Sequence, residues 1–213
     1  MSVSPPDPLT RALLPALMHG LNNATQLLAS LNALVAEDDG EAWLERRSAD
    51  LARTSGEIED LGYVLAVLAG ASGADLLGER REARGLELVV DLVRAALRRA
   101  GADLAPVPTP LPRLARSAGE GWELPWVVGS LLWVSATALP TGEALAWSLE
   151  GDGDGWCLRA ERPEGIDLAV LAERVHSLLP EARLEVGAEG WSLLLPGRWL
   201  EPGAEQAPSL SVS

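Results

Sequence analysis

The sequence predicts an all-helical first part followed by an α+β part: a long helical hairpin, then a sandwich of helices and antiparallel strands. Three observations carry this. Leu14, Leu17, Leu21, Ala24, Leu28, Leu31 and Val35 recur at alternating steps of three and four, the a/d seam of a heptad. Leu44, Leu51, Ile58 and Leu65 then repeat seven apart, with Leu61 and Leu68 between them. After residue 75 the pattern changes to shorter helical stretches interleaved with strand-like alternation, the signature of layered helices and antiparallel strands.

Asp7-Pro8 reads as a helix start, with Asp7 as N-cap and Pro8 in the first turn. The helical pattern runs to about Ala36, and Pro15 inside it should kink the helix or delay its regular start. Asp38-Asp39-Gly40 is a turn, a second helix spans about 41–69, and Gly70 to Gly73 end it. Two long helices on a tight turn form an antiparallel hairpin, which alone leaves one side of its seam uncovered. A second copy would cover it as a four-helix bundle, so a homodimer is expected. Residues 86–100 read as a helix, Pro106 to Pro112 as an edge strand or loop, and 124–139 as a buried helix. Strands follow at 143–150 and 155–161, joined by the hairpin-turn composition Gly151-Asp152-Gly153-Asp154-Gly155. A helix near 167–179 and strands at 182–187 and 190–196 complete the second part. The expected division is a hairpin over 1–75, an α+β domain over 76–200 and a disordered tail over 201–213.

Composition narrows the function. With 31 acidic and 17 basic side chains the formal charge is −14, which argues against nucleic acid and against an anionic membrane surface. Every basic residue is Arg and Phe is absent, so Trp126, Trp133, Trp147, Trp156 and Trp191 are expected to fill core volume rather than line a ligand site. The single Cys157 excludes an intramolecular disulfide and a cysteine-cluster zinc site, and on a predicted strand it should be buried and inert. No apolar run reaches the roughly 18 residues of a membrane span, and the N-terminus lacks the regions of a signal peptide. A soluble cytoplasmic protein is the expectation.

His19 carries the chemistry. With Leu14 at position a, His19 falls at f, the most exposed site of the helix. Asn22 and Asn23, three and four residues on, share its surface, and Gln26 extends the same polar face. A neutral imidazole nitrogen is a competent nucleophile near neutral pH. Against this stands the plain alternative that a lone exposed histidine on a helix is usually inert. His176, on the helix at 167–179, is read as a structural histidine.

The string Met18-His19-Gly20-Leu21-Asn22-Asn23-Ala24 resembles the phosphoacceptor box of histidine kinases, often His-Glu-Leu-Asn-Asn-Pro-Leu. His19, Leu21, Asn22 and Asn23 match it, Gly20 replaces the usual acid and Ala24 the usual proline. The resemblance implies a dimeric four-helix bundle formed by the hairpin, followed by a degenerate ATPase α/β sandwich. It implies His19 as phosphoacceptor, Asn22 and Asn23 hydrogen-bonding the transferring group or orienting the ring, and Met18 and Gln26 at the docking rim.

The family's ATPase domain needs an Asn-bearing helix for Mg²⁺, an Asp-x-Gly-x-Gly adenine loop and a glycine-rich lid. The helix at 124–139 stands where the first should be and offers Ser130, Trp133, Val134 and Ser135, with no Asn. Glu161 to Ile166 occupies the adenine-loop position without its Asp, and the lid is missing. Asp152-Gly153-Asp154 lies between two strands and reads as a turn. ATP binding and autokinase activity are therefore not expected. The acid that Gly20 replaces is the one held to activate the imidazole toward ATP; an aspartyl phosphate, already a reactive acyl phosphate, demands less. The resulting expectation is histidine phosphotransfer in a two-component phosphorelay. The partners are receiver domains, which supply the Mg²⁺, and no cofactor is bound by the chain itself. The alternatives are a receiver phosphatase, using Asn23, and a pseudo-kinase scaffold without phosphoryl chemistry.

Overall fold

A computed structural model describes residues 8–37, 40–69, 84–106, 111–115, 122–152, 155–161, 163 and 166–201. Two long helices, α1 (Pro8–Glu37) and α2 (Gly40–Ala69), lie antiparallel as a hairpin. Helix α3 (Gly85–Ala100) follows, then the short strands β1 (Asp103–Leu104) and β2 (Arg113–Leu114) and helix α4 (Glu123–Thr137). Strands β3 (Ala144–Leu145), β4 (Trp147–Asp152) and β5 (Gly155–Glu161) lead to helix α5 (Ala169–Leu178). Strands β6 (Arg183–Val186) and β7 (Gly190–Pro196), one 3-10 turn and β8 (Leu200–Glu201) end the described chain.

The central sheet is antiparallel in the order β4-β5-β7-β6. Alternation gives it one apolar face: Trp147, Leu149, Leu158, Ala160, Trp191, Leu193 and Leu195 are all buried, while Glu150, Arg159 and Glu185 on the other face are exposed and Cys157 there is buried. Helices α4 and α5 cover the apolar face, and the Trp191 indole N–H donates to Ser135 Oγ at 2.8 Å in the core, pinning β7 to α4. Helix α3 is amphipathic, with Leu86, Val89, Val90, Val93, Ala96 and Leu97 buried. Glu87 in its first turn and Arg98 and Arg99 in its last complement the helix dipole. Gly101 closes it in the left-handed region, φ 82°.

Helix α4 has no polar face. Every residue from Leu124 to Leu132 is buried, because α4 has neighbours on all sides: the sheet, α5, α3 and the base of the hairpin. Two glycines permit close approaches between the helices. A Cβ on Gly129 would stand 2.7 Å from Val89 Cγ1 and 3.2 Å from Leu9 Cδ2, and one on Gly85 would overlap the buried Tyr63 ring. Leu9, Leu13 and Leu17 of α1 and Tyr63, Val64 and Val67 of α2 thus belong to the same apolar core as Val89, Val127, Leu131 and the sheet.

The helices and main strands fall where the periodicity puts them, with four differences. Helix α1 starts at Pro8, so Pro15 does not delay it: a single missing N–H near the N-terminal end is tolerated when one face is buried by Leu9, Leu13 and Leu17. The strand expected at 143–150 is divided at Ala146, because β3 pairs with β1 in parallel and β4 with β5. Strands β1, β2 and β8 were not legible; each is two residues long and held by partners far away in sequence. Glu201, placed at the start of the tail, instead pairs with Arg113 in the β2–β8 ladder. Asp7, the Asp38-Asp39 turn, the Gly70–Gly73 end, the 75–76 boundary and residues 202–213 lie outside the described residues.

A methyl added at Gly85 should cost about 1–3 kcal/mol through overpacking against Tyr63. Gly56, in mid-α2 with nothing within 4 Å of a Cβ, should gain up to about 1 kcal/mol on the same change. Urea midpoints of Gly85→Ala and Gly56→Ala moving in opposite directions would check both.

Candidate functional site

The site sits on the flank of α1. Along α1 Leu9, Leu13, Ala16, Leu17, Ala24 and Leu31 are buried, and of the half-buried Gly20 and Leu27 the glycine lies against Leu61 of α2, which marks the seam. This seam runs 13, 17, 20, 24, 27, 31, and it shares only Leu17, Ala24 and Leu31 with the seam expected from the heptads. Leu14, Leu21 and Leu28 instead form a second stripe beside it: Leu14 is 42% exposed, Leu21 37%, and Leu28 half-buried. The leucine doublets at 13–14 and 27–28, with Gly20-Leu21 between them, therefore serve two faces. Side chains of Val35 and Leu44 lie outside the described residues.

Helix α2 repeats the arrangement. Thr54 and Leu61 face α1, and Ile58 and Leu65 follow each of them by four residues, about 40° further round the helix. Leu21 and Leu28 stand in the same relation to Leu17 and Ala24. Because the helices are antiparallel, rotation in the same sense brings both stripes to one side of the hairpin. Among the described residues the large apolar side chains left exposed are Leu14, Met18, Leu21 and Leu65 here, and Val170 and Val186 elsewhere.

His19 is exposed, about 200° round the helix from Leu17, as its heptad position implies. Asn22, Asn23 and Gln26 are exposed on the same face. Asn23 Nδ2 lies 3.2 Å from His19 Nε2, one helical turn on, and ties the two side chains of the patch together. Asn22 is not brought onto the ring. Met18, half exposed, lies between the polar patch and the apolar stripe and so borders both. Ser30 Oγ and Thr25 Oγ1 bond back to the carbonyls of Gln26 and Leu21, leaving the amides of the patch for other partners.

Gly20 has a packing role that the motif comparison did not suggest. A Cβ there would stand 3.1 and 3.2 Å from the two methyls of Leu61, so the position after the histidine faces the second helix rather than the ring. The signal was present in the sequence: Gly20 lies seven residues from both Leu13 and Leu27.

Elsewhere the arrangement is quiet. His176 is exposed on α5, beside the buried Val175, and is not a core histidine: the helix turns its neighbour inward and the imidazole outward. Cys157 is buried on β5. Trp126, Trp147 and Trp191 are buried, and Trp133 and Trp156 are partly so. The Arg174 guanidinium stacks over Trp126, 4.5 Å from the ring centroid, and closes the side of α4 that faces α5. Among the described residues no three His, Cys, Asp or Glu side chains come together where they could hold a metal ion, and no helix is long and apolar enough to cross a membrane.

No family model and no curated protein matches the chain. One solved structure similar to it is the cytoplasmic segment of the histidine kinase QseC, at 16% identity and a TM-score of 0.36, covering 73% of this chain and 95% of that one. A likeness of that size decides nothing about what this chain does.

Bulk at position 20 should be poorly tolerated. Gly20→Ala is expected to be near neutral, helix propensity offsetting a small displacement of Leu61, whereas Gly20→Leu should cost about 1–3 kcal/mol. Thermal or urea unfolding of the two variants separates them.

Proposed function

We propose that the chain is a histidine phosphotransfer protein of a two-component relay, in which His19 takes a phosphoryl group from one receiver domain and passes it to another. The observation that carries this reading is the exposed His19 with its Nε2 held by Asn23, in an amide-rich patch on a rigidly anchored helix. The Nε2 lone pair attacks the phosphorus of a receiver's aspartyl phosphate. The N–P bond forms as the P–O bond to the aspartyl group breaks, its electron pair leaving with the carboxylate. The ring then releases its Nδ1 proton to water, and the reverse sequence loads the second receiver. The receiver supplies the Mg²⁺. Asn22 is free to meet the phosphoryl oxygens, while Met18 and Gln26 form the docking rim.

The sandwich domain supports an external donor rather than ATP. Helix α4, which stands where the metal-binding helix of the kinase family would be, is filled on every side: by Leu9 and Val89 at Gly129, by Trp191 at Ser135, and by Arg174 at Trp126. Its core is continuous with the hairpin base, so it cannot swing toward His19 without exposing Leu9, Tyr63 and Val67. In this reading the domain braces the hairpin and widens the docking surface. The stripe of Leu14, Leu21, Ile58 and Leu65 favours a second copy of the hairpin as its cover, giving a homodimeric four-helix bundle.

Phosphatase action on a receiver is a second reading, favoured by the Asn23 amide one turn after His19. Incubation with radiolabelled phospho-receivers from the source organism, with ATP as a parallel donor, tests the assignment. Label is expected on wild type and absent from His19→Ala, and it should come from a receiver and not from ATP. No label from any donor overturns the relay; receiver phosphate lost equally with His19→Ala points to the phosphatase, and intact binding without either reaction to a scaffold. For the assembly, light scattering should give twice the chain mass for wild type and the single-chain mass for Leu21→Glu/Leu65→Glu. A monomeric wild type would overturn the dimer.

A further inference from the structure

We infer that Asn23 is a positioning residue that selects the reactive tautomer of His19. The inference rests on the phosphotransfer reading for its purpose but not for its chemistry. An amide nitrogen has no lone pair to accept a hydrogen bond, so at 3.2 Å Asn23 Nδ2–H donates and Nε2 of the ring accepts. A ring nitrogen that accepts carries no proton. In the neutral imidazole the proton is then on Nδ1, and the lone pair that can attack phosphorus is on Nε2, the nitrogen farther from the helix backbone and nearer to an incoming partner. Asn22, at three residues instead of four, makes no such bond, although both amides share the face.

The bond has two consequences. It sets which nitrogen becomes phosphorylated, and it covers that nitrogen until a donor arrives. As phosphorus approaches, the amide must leave Nε2, and the N–H it frees is one turn from the new phosphoryl group. Asn23 thereby holds the ring ready while protecting it from adventitious protonation at the wrong nitrogen. An acid at 23 would do the opposite: a carboxylate has no proton to donate, would accept from Nε2–H, and would place the free lone pair on Nδ1.

The test reads the tautomer directly on the full chain, by ¹⁵N chemical shifts of the His19 ring at alkaline pH with the imidazole neutral, in wild type, Asn23→Ala and Asn23→Asp. Nδ1–H is expected to dominate in wild type. The tautomer ratio should move toward Nε2–H by about two- to tenfold in Asn23→Ala, the worth of one net hydrogen bond, and should invert in Asn23→Asp. Phosphoramidate serves as a small donor that needs no receiver: Nε2 forms the N–P bond as the donor's P–N bond breaks and ammonia leaves with the electron pair. It should modify wild type at Nε2 and Asn23→Asp at least about tenfold more slowly at that nitrogen. A wild-type ring that is mainly Nε2–H, or a tautomer ratio unchanged by Asn23→Asp, overturns the inference. The tautomer is measured without any receiver, so the two readings fail separately. The expected tautomers without receiver transfer would sink the relay alone, and receiver transfer with unchanged tautomers would sink the inference alone.

Discussion

The close contact of the hairpin base with α3 and α4 is the constraint on which the rest of the structure depends. Leu9 enters the space that a side chain at Gly129 would fill, and Tyr63 occupies the space above Gly85. Backbones and side chains can meet at that distance only where both positions are glycine. Once they do, Leu9, Leu13, Leu17, Val64 and Val67 join one apolar core with α3, α4 and the sheet. Two parts of the chain that differ entirely in periodicity then stand or fall together, because opening one exposes the core of the other.

This contact also explains α4. A helix with a sheet on one side and four helices around the rest has little surface to give to water, and its residues follow: Leu124, Val127, Val128, Leu131 and Leu132 in place of the polar face an ordinary surface helix would carry. A ligand-binding helix needs an open side bearing polar groups. The buried polar side chains here are serines, of which Ser135 is committed to Trp191. The open polar face lies instead on the flank of α1, where His19, Asn22, Asn23 and Gln26 are exposed. There the fixed base has a second effect, since a helix held at Leu9, Leu13 and Leu17 presents His19 two residues later in a set direction.

Much of this was legible in the sequence, and the failures have physical causes. The long helices were readable because a 3.6-residue period sustained over thirty residues overwhelms local noise, and β5 and β7 because each buries one face of a paired strand. The two-residue strands β1, β2 and β8 carry too little pattern to register and exist only because partners dozens of residues away offer a backbone edge. The seam of α1 was misread by one residue at three positions. Leu13/Leu14 and Leu27/Leu28 fit two heptad registers equally, and no local rule says which leucine of a doublet meets the partner within the chain. The exposure of His19 followed from either register, which is why the site was more readable than the interface beside it. The bond from Asn23 was not: Asn22 and Asn23 are equivalent by spacing, and only the coordinates of the helix separate them.

Gly20 joins these threads. Set against the motif it resembles, it stands where that motif has an acid after the histidine. Read as a packing position, it completes the repeat Leu13, Gly20, Leu27, where the middle member must be small because Leu61 stands 3.1 Å from where its Cβ would be. The two descriptions are compatible and bear on each other. A carboxylate at this position would leave its Cβ and stem pressed toward an apolar side chain, with its charge partly removed from water, which is costly unless a cation is supplied to pair with it. The nearest heavy atoms to that Cβ all belong to Leu61. The close helix–helix contact and an activating acid therefore compete for one residue, and this chain has taken the contact. Under the proposed phosphotransfer, His19 would then draw its nucleophilicity from elsewhere: from a donor that is already activated, and from the Asn23 amide that bonds its Nε2.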